Sequence, residues 1–254
     1  MKIDLAGADN ARDFRGIKNV FGKTIQSKQF IRSNHLNALT EEDCLFLTKE
    51  YGLLKVIDLR TTIETMQKPD VVMEGVEHIH IPLFHESAIG ITHEVNTDMQ
   101  AAGLADIPDM SALYERMVED DYSVSQLSKI MNIIADNESG AVLWHCTEGK
   151  DRCGVVSAMF LAMLDVDMQT IMEDYLSTNI AAAKRAELFY ENVIRITKDE
   201  KKALEVKTAF LANKDYLNAA FNKVLEKYSS LREYIEKRLK VDREKIDKLQ
   251  SRCL

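Results

Sequence analysis

A chain of 254 residues, 46% of them hydrophobic, is long enough to bury a sizeable core as one large domain or two small ones. Its 10 glycines and 3 prolines argue against a disordered or linker-built architecture, and a formal charge of −8 argues against broad attraction to nucleic acid or anionic membranes, so that any anion site has to be local. No segment approaches the roughly 20 apolar residues of a membrane span, no signal-peptide run opens MKIDLAGADNARDF, and Cys44, Cys146, Cys153 and Cys253 have neither disulfide-framework nor zinc spacing; a cytoplasmic location is expected, with export by a route lacking a readable signal left open.

In chain order, the first legible unit is TEEDCLFLTKEYGLLKVIDLR. Thr40 is placed to cap a helix whose first turn carries Glu41, Glu42 and Asp43, acids that favour the positive end of the helix dipole, and Gly52 ends it. LLKVIDL (53–59) reads as a strand buried on both faces of a parallel sheet, and VEHIHIPL (76–83) as a second, alternating strand stopped by Pro82. Residues 86–110, with Gly90, Gly103 and Pro108, hold no sustained period and read as a lid or substrate loop near the strand ends, or as an ordinary surface excursion. Leu113, Met117, Leu127, Ile130, Met131 and Ile134 space a helix over 111–137; AVLWH (141–145) is the third strand, and GVVSAMFLAMLD is a buried helix. From Asp167 onward the pattern is almost wholly helical: Leu217, Phe221, Val224, Leu225, Tyr228 and Leu231 mark a core face, and REYIEKRLKVDREKIDKL a solvated one. Strands alternating with helices predict an α/β fold, a central, mostly parallel sheet flanked by helices, with 167–254 as the helical C-terminal part of a single domain over 1–254.

Between the third strand and its helix stands HCTEGKDRCG (145–154). A cysteine and an arginine six positions apart are a weak signal alone, but here they flank a turn at the carboxyl end of a buried strand, where ligands bind in open α/β sheets. Such a turn, with Thr147, Glu148 and Gly149 in it, aims backbone N–H groups at one point, and the following helix dipole adds to them, making a cradle for phosphate. The same field is expected to depress the Cys146 thiol and make it a nucleophile. Arg152 offers a planar fork for two phosphoryl oxygens, Gly149 permits the turn, and His145 ties strand to loop or is simply a satisfied buried histidine. The arrangement implies attack by Cys146 on phosphorus while an acid protonates the departing oxygen, then hydrolysis of the phosphocysteine by water deprotonated by the same group. Asp151 is the first candidate for that acid, or a brace for the loop; Glu86, Asp106 and Asp109 are the others.

HCTEGKDRCG resembles the HCxxGKDRTG loop of the bacterial tyrosine phosphatases of the atypical, dual-specificity branch. NARDFRG (10–16), IRSNHLNAL, VIDLR and YLNAAFNKVLEKYSSLREYI (216–235) are similar to further segments of that family, so the likeness runs in pieces over nearly the whole chain. The resemblance implies a phosphotyrosine-phosphatase-like fold and activity on a phosphotyrosine protein or peptide, with a phosphoinositide as the alternative, phosphate as product and no cofactor. It makes Cys146 the nucleophile, Arg152 the phosphate clamp, Asp151 the acid and base, and Lys150 a contact to additional substrate charge. Asp13, Asp58 and Arg60 would support the loop, or be plain ion pairs. Two positions depart from the pattern. Arg15 replaces the first glycine of a pair, and Cys153 replaces a threonine whose hydroxyl would donate to the thiolate, which predicts slower phosphocysteine hydrolysis and raises a reversible disulfide with Cys146 as a redox hypothesis.

A non-catalytic phosphate-binding regulatory protein is the competing reading, against which Cys146, Asp151 and Arg152 together count; without CxxC a thiol oxidoreductase is remote. His78 and His80 share one strand face, but no ligand set completes a site with them; these, His85, His93 and Ser123, Ser125 and Ser128 are given packing or solvent roles, and no metal is assigned.

Overall fold

β1 (Arg12–Asp13), β2 (Phe30–Ser33), β3 (Leu53–Asp58), β4 (Glu77–His80) and β5 (Ala141–His145) form one sheet in the order β1-β2-β5-β3-β4. The computed structural model describes residues 1–85 and 109–254. β2, β5, β3 and β4 run parallel, and only β1 is antiparallel to its neighbour. β5 is central and wholly buried, with side chains alternating between two cores: Val142 and Trp144 join the larger one with Phe30 and Ile57, while Ala141 and Leu143 join Ile31, Val56 and Leu53 on the other face.

Helices α1 (Glu41–Leu45), continuing into a wider turn over Phe46–Glu50, and α2 (Thr62–Gln67) follow β2 and β3. Both open on the capping boxes that their sequences encode, Thr40 with Asp43 and Thr61 with Glu64. The expected helix over 111–137 is two helices, α3 (Met110–Glu119) and α4 (Asp121–Ala135). Between them Asp120 takes an extended conformation, ψ 131°, and its carboxylate accepts from the Ser123 N–H, so a new start signal overrides continuous apolar spacing. α5 (Asp151–Met163) is buried along its whole length. The C-terminal part comprises α6 (Met168–Thr197), α7 (Glu200–Phe210), α8 (Lys214–Leu225), α9 (Leu231–Lys237) and α10 (Arg243–Cys253). The charged ending is not only a solvated face, because Tyr234, Ile235, Leu239, Val241, Ile246 and Leu249 enter the larger core. α6 and α7 share a small core of their own, in which Phe189 and Phe210 stack at 3.9 Å. Among the described residues no helix is long and apolar enough to cross a membrane.

β1 and β2 were not legible as strands. β1 is two residues long, and Arg32 and Ser33 of β2 are polar yet fully buried, the opposite of a hydrophobic run.

Candidate active site

Cys146 to Lys150 join β5 to α5. Gly149 makes the turn with φ +67°, and a Cβ there would lie 2.7 Å from the Asn34 nitrogen and the Ser33 oxygen, so no other residue fits. The loop carbonyls are drawn outward. His35 N–H donates to Thr147 O (3.1 Å), Asn10 Nδ2 to Glu148 O (2.9 Å), and Arg32 Nη2 to Gly149 O (2.9 Å). Because trans peptides hold C=O and N–H antiparallel, the N–H groups of Glu148, Gly149 and Lys150 point away from these partners. Lys150, the residue that caps α5, makes no side-chain cap, so the positive end of the helix is open to an anion in the loop.

Arg152 is fully buried and lies against Glu64 of α2, donating from Nη1 to Oε2 (2.7 Å) and from Nη2 to Oε1 (2.8 Å). Glu64 also accepts from Thr147 Oγ1 (2.8 Å) and the Thr61 N–H (2.7 Å). Burial opposes ionisation of Glu64, but Arg152 outweighs it and holds the carboxyl below its ordinary range. The guanidinium plane is fixed by this pair, and its charge is compensated.

Against the expected depression of the nucleophile stand burial, which pushes Cys146 well above its ordinary range, and the adjoining Cys153 sulfur, which adds to the rise, while a hydrogen bond from the Cys153 N–H works against it. Cys153 is equally buried; its thiol donates to Ser33 O at 3.5 Å as well as meeting Cys146, which makes the two sulfurs neighbours.

Asp58 and Arg60 are brought behind His145. Arg60 donates from Nε and Nη2 to Asp58 (2.9 and 2.7 Å) and pairs with Asp70 Oδ1 (2.9 Å), whose Oδ2 lies 2.8 Å from His145 Nε2. Burial disfavours protonated His145, but Asp58 and Asp70 outweigh it and raise the imidazole above its ordinary value. Asp58, Asp70 and His145 hold three metal-ligand atoms within 4.8 Å of one another, but Arg60 already binds both carboxylates, so protein supplies the counter-charge. His80 is taken up by the Arg60 carbonyl (2.7 Å).

Other assignments shift. Asp13 pairs with the amino terminus (3.2 Å) rather than with the loop; from that segment the loop is held by Asn10, whose Oδ1 accepts from Arg12 (2.7 Å), and Arg12 with Arg32 grips Asp174 of α6 (3.2 and 2.6 Å). Burial opposes the Asp174 charge, but the two arginines hold its carboxyl low. Lys150 does not project towards added substrate charge: 2% exposed, it donates to Ala209 O at the end of α7 (2.6 Å) and lies 3.5 Å from Asp151 Oδ1. Glu148 is bound by Arg185 of α6, and Thr147 by Glu64, so both side chains shape the loop. Asp151 sits in the first turn of α5, beside the loop, and accepts from Tyr114. Asp109 caps α3 through the Ala112 N–H, whereas Glu86 and Asp106, with His93 and the expected lid segment up to Pro108, lie outside the described residues. Asn10, Arg32, Glu64, Asp70, Tyr114 and Asp174 were not assigned to the site; Asn10 and Arg32 stand in the segments NARDFRG and IRSNHLNAL and Glu64 in the T-x-x-E box after VIDLR, whereas Asp70, Tyr114 and Asp174 carry no local signal.

The sequence model of the tyrosine phosphatase family matches residues 3–254. A tyrosine-protein phosphatase of Nostoc commune is 31% identical over 152 residues, 59% of this chain and 48% of that protein, so the matched stretch is about half of that relative's length. The triple specificity protein phosphatase PtpB of Mycobacterium tuberculosis is 26% identical over 263 residues, covering 91% of this chain and 92% of its own. The crystal structure of P. aeruginosa TpbA aligns with a TM-score of 0.35 at 16% identity, over 74% of this chain and 89% of that one.

Proposed function

The chain belongs to the tyrosine phosphatase family, and from that premise we propose that residues 1–254 form one phosphatase domain hydrolysing phosphotyrosine in a protein or peptide through a phosphocysteine on Cys146. The Cys146 thiolate attacks phosphorus, a P–S bond forms, the P–O bond to the phenol breaks, and protonated Asp151 gives its proton to the departing oxygen. The Asp151 carboxylate then takes a proton from water as that water attacks phosphorus; inorganic phosphate leaves and the thiolate is restored. Arg152, its plane fixed by Glu64, and the loop N–H groups hold the phosphoryl oxygens as charge shifts among them.

The observation that carries this reading is the loop itself: three carbonyls tied outward, Gly149 in the one conformation that permits it, and Cys146, Asp151 and Arg152 assembled around it. Burial of Cys146 favours phosphotyrosine, since a long aromatic ester reaches a deep sulfur and a phosphoserine does not. A phosphoinositide is the second reading; its support was Lys150, now engaged by Ala209 O.

The test is phosphate release from a phosphotyrosine peptide, a phosphoserine peptide and a phosphoinositide, with reductant, by wild type and Cys146→Ser. Release from the phosphotyrosine peptide that vanishes in the variant is expected. Release that survives the substitution refutes the phosphocysteine, and a phosphoinositide preference replaces the substrate assignment.

A further inference from the structure

Asp151 opens α5 with 9% of its surface exposed, and its Oδ1 accepts a 2.7 Å hydrogen bond from the hydroxyl of Tyr114 in α3. Tyr114 is wholly buried, and its hydroxyl lies 2.7 Å from that of Tyr175 in α6. Tyr175 reaches this position because α5 carries Gly154 beneath it: a Cβ there would sit 2.9 Å from Cδ2 of the ring and 3.0 Å from Cε2. Side chains of three helices thus form one chain, Tyr175 to Tyr114 to the Asp151 carboxylate.

Each phenol has one proton to give. Burial, with the Asp151 charge adding to it, pushes both hydroxyls far above their ordinary range, so both stay protonated donors. With the Tyr114 proton given to Asp151, the hydrogen bond between the phenols runs from Tyr175 to the Tyr114 oxygen, and the chain has a direction. We infer that Tyr114 is a positioning residue for proton transfer: it pins Oδ1 of Asp151, leaving Oδ2 to carry the proton to and from the substrate, and Tyr175 fixes the direction of the Tyr114 hydroxyl. The inference rests on the reading of Asp151 as the acid and base.

The test is kcat/KM over a series of aryl phosphates whose phenols run from strongly to weakly acidic, for wild type, Asp151→Asn, Tyr114→Phe, Tyr175→Phe and Cys146→Ser. kcat/KM reports P–O cleavage, before phosphocysteine hydrolysis. General acid help is worth about 10²–10⁴-fold for a leaving group that needs a proton, and little for an acidic phenol that departs without one. Asp151→Asn should therefore lose on the order of 100-fold on weakly acidic phenols and little on acidic ones. Tyr114→Phe should show the same selectivity at about tenfold, and Tyr175→Phe a smaller selective loss.

A Tyr114→Phe loss equal across the series, or no loss, overturns the inference, as does a uniform loss in Asp151→Asn. If Tyr114→Phe fails to fold, Tyr175→Phe decides on the same criterion. Cys146→Ser separates the two levels. Activity retained there removes the proposed chemistry and the role of Tyr114 with it, whereas an inactive Cys146→Ser beside a uniform Tyr114→Phe loss removes only the role of Tyr114.

Discussion

Glu64→Gln tests whether Glu64 serves the phosphate clamp or only the helix it caps. The carboxylate accepts four hydrogen bonds: two from Arg152, one from the Thr61 N–H and one from Thr147 Oγ1. Glutamine keeps the shape and one acceptor oxygen but turns an amide NH2 towards donors, so about two charge-assisted bonds worth about 1.5–3 kcal/mol each are lost. Arg152 is 0% exposed and Glu64 5%, so water does not screen the loss, and a total of about 3–5 kcal/mol agrees with the cost of orphaning one partner of a buried pair. The capping contribution alone is about 0.5–2 kcal/mol.

The two roles separate further in the presence of anion. Inorganic phosphate gives Arg152 a replacement counter-charge, so the deficit measured by urea unfolding should shrink as phosphate is added, and by more than the ordinary ligand stabilisation seen in wild type. The pH response has a sign as well. Because the folded Glu64 carboxyl lies below its ordinary value, its contribution is present above the unfolded value, about 4.3, and is lost as pH falls through the folded one. A deficit near 1 kcal/mol that phosphate leaves unchanged would refute the clamp argument and leave Glu64 as a helix cap.

Cys153→Thr should supply a stronger donor to the Cys146 sulfur and remove the thiol that raises it, so the pH midpoint for alkylation of Cys146, followed by mass spectrometry, moves down and phosphocysteine hydrolysis quickens. An unchanged midpoint with unchanged turnover contradicts the role given to Cys153. Asp70→Asn acts on His145, whose folded value is raised: its stabilisation is present below the unfolded value, about 6.5, and lost as pH rises through the folded one. The wild-type urea midpoint should therefore fall on going from pH 6 towards alkaline pH, by less in Asp70→Asn, and equal slopes would show that Asp70 does not hold the His145 proton.

The segment from β5 through the loop into α5 was legible because it obeys local rules: five buried residues in a parallel strand, a glycine where φ is positive, and an apolar helix. What supports it was not. Arg32 is a buried cation in a strand, intelligible only beside Asp174, 142 positions later, and Tyr114 acquires meaning only from Asp151, 37 positions on. A pattern read over a short window treats such residues as surface. The same limit holds for Arg152, whose positive charge is legible in the loop while the carboxylate that pairs with it, Glu64, comes from another strand-helix unit. The helix over 111–137 failed differently, since Asp120 and Asp121 sit in the sequence as a legible start signal that apolar spacing outvoted.

The charge balance around the loop explains how an acidic protein would hold a phosphate. With His145 protonated, the direction in which Asp58 and Asp70 push it, Arg12, Arg32, Arg60, Arg152, Lys150 and His145 face Asp58, Glu64, Asp70, Asp151 and Asp174, one more cation than carboxylate. A thiolate on Cys146 uses that single excess, and a bound phosphate dianion exceeds it, so the two cannot be accommodated by the side chains alone. Protonating Asp151, as the proposed first step requires, releases one further positive charge; the rest falls to loop N–H groups and the end of α5, which are dipoles and carry no net charge. In the proposed mechanism the state ready for attack is therefore the one in which the proton lies on Asp151 and the negative charge on Cys146 and the phosphoryl group. On this balance a proton on Asp151 and a negative charge on Cys146 favour one another, since the Asp151 charge adds, after burial and Cys153, to what raises the thiol.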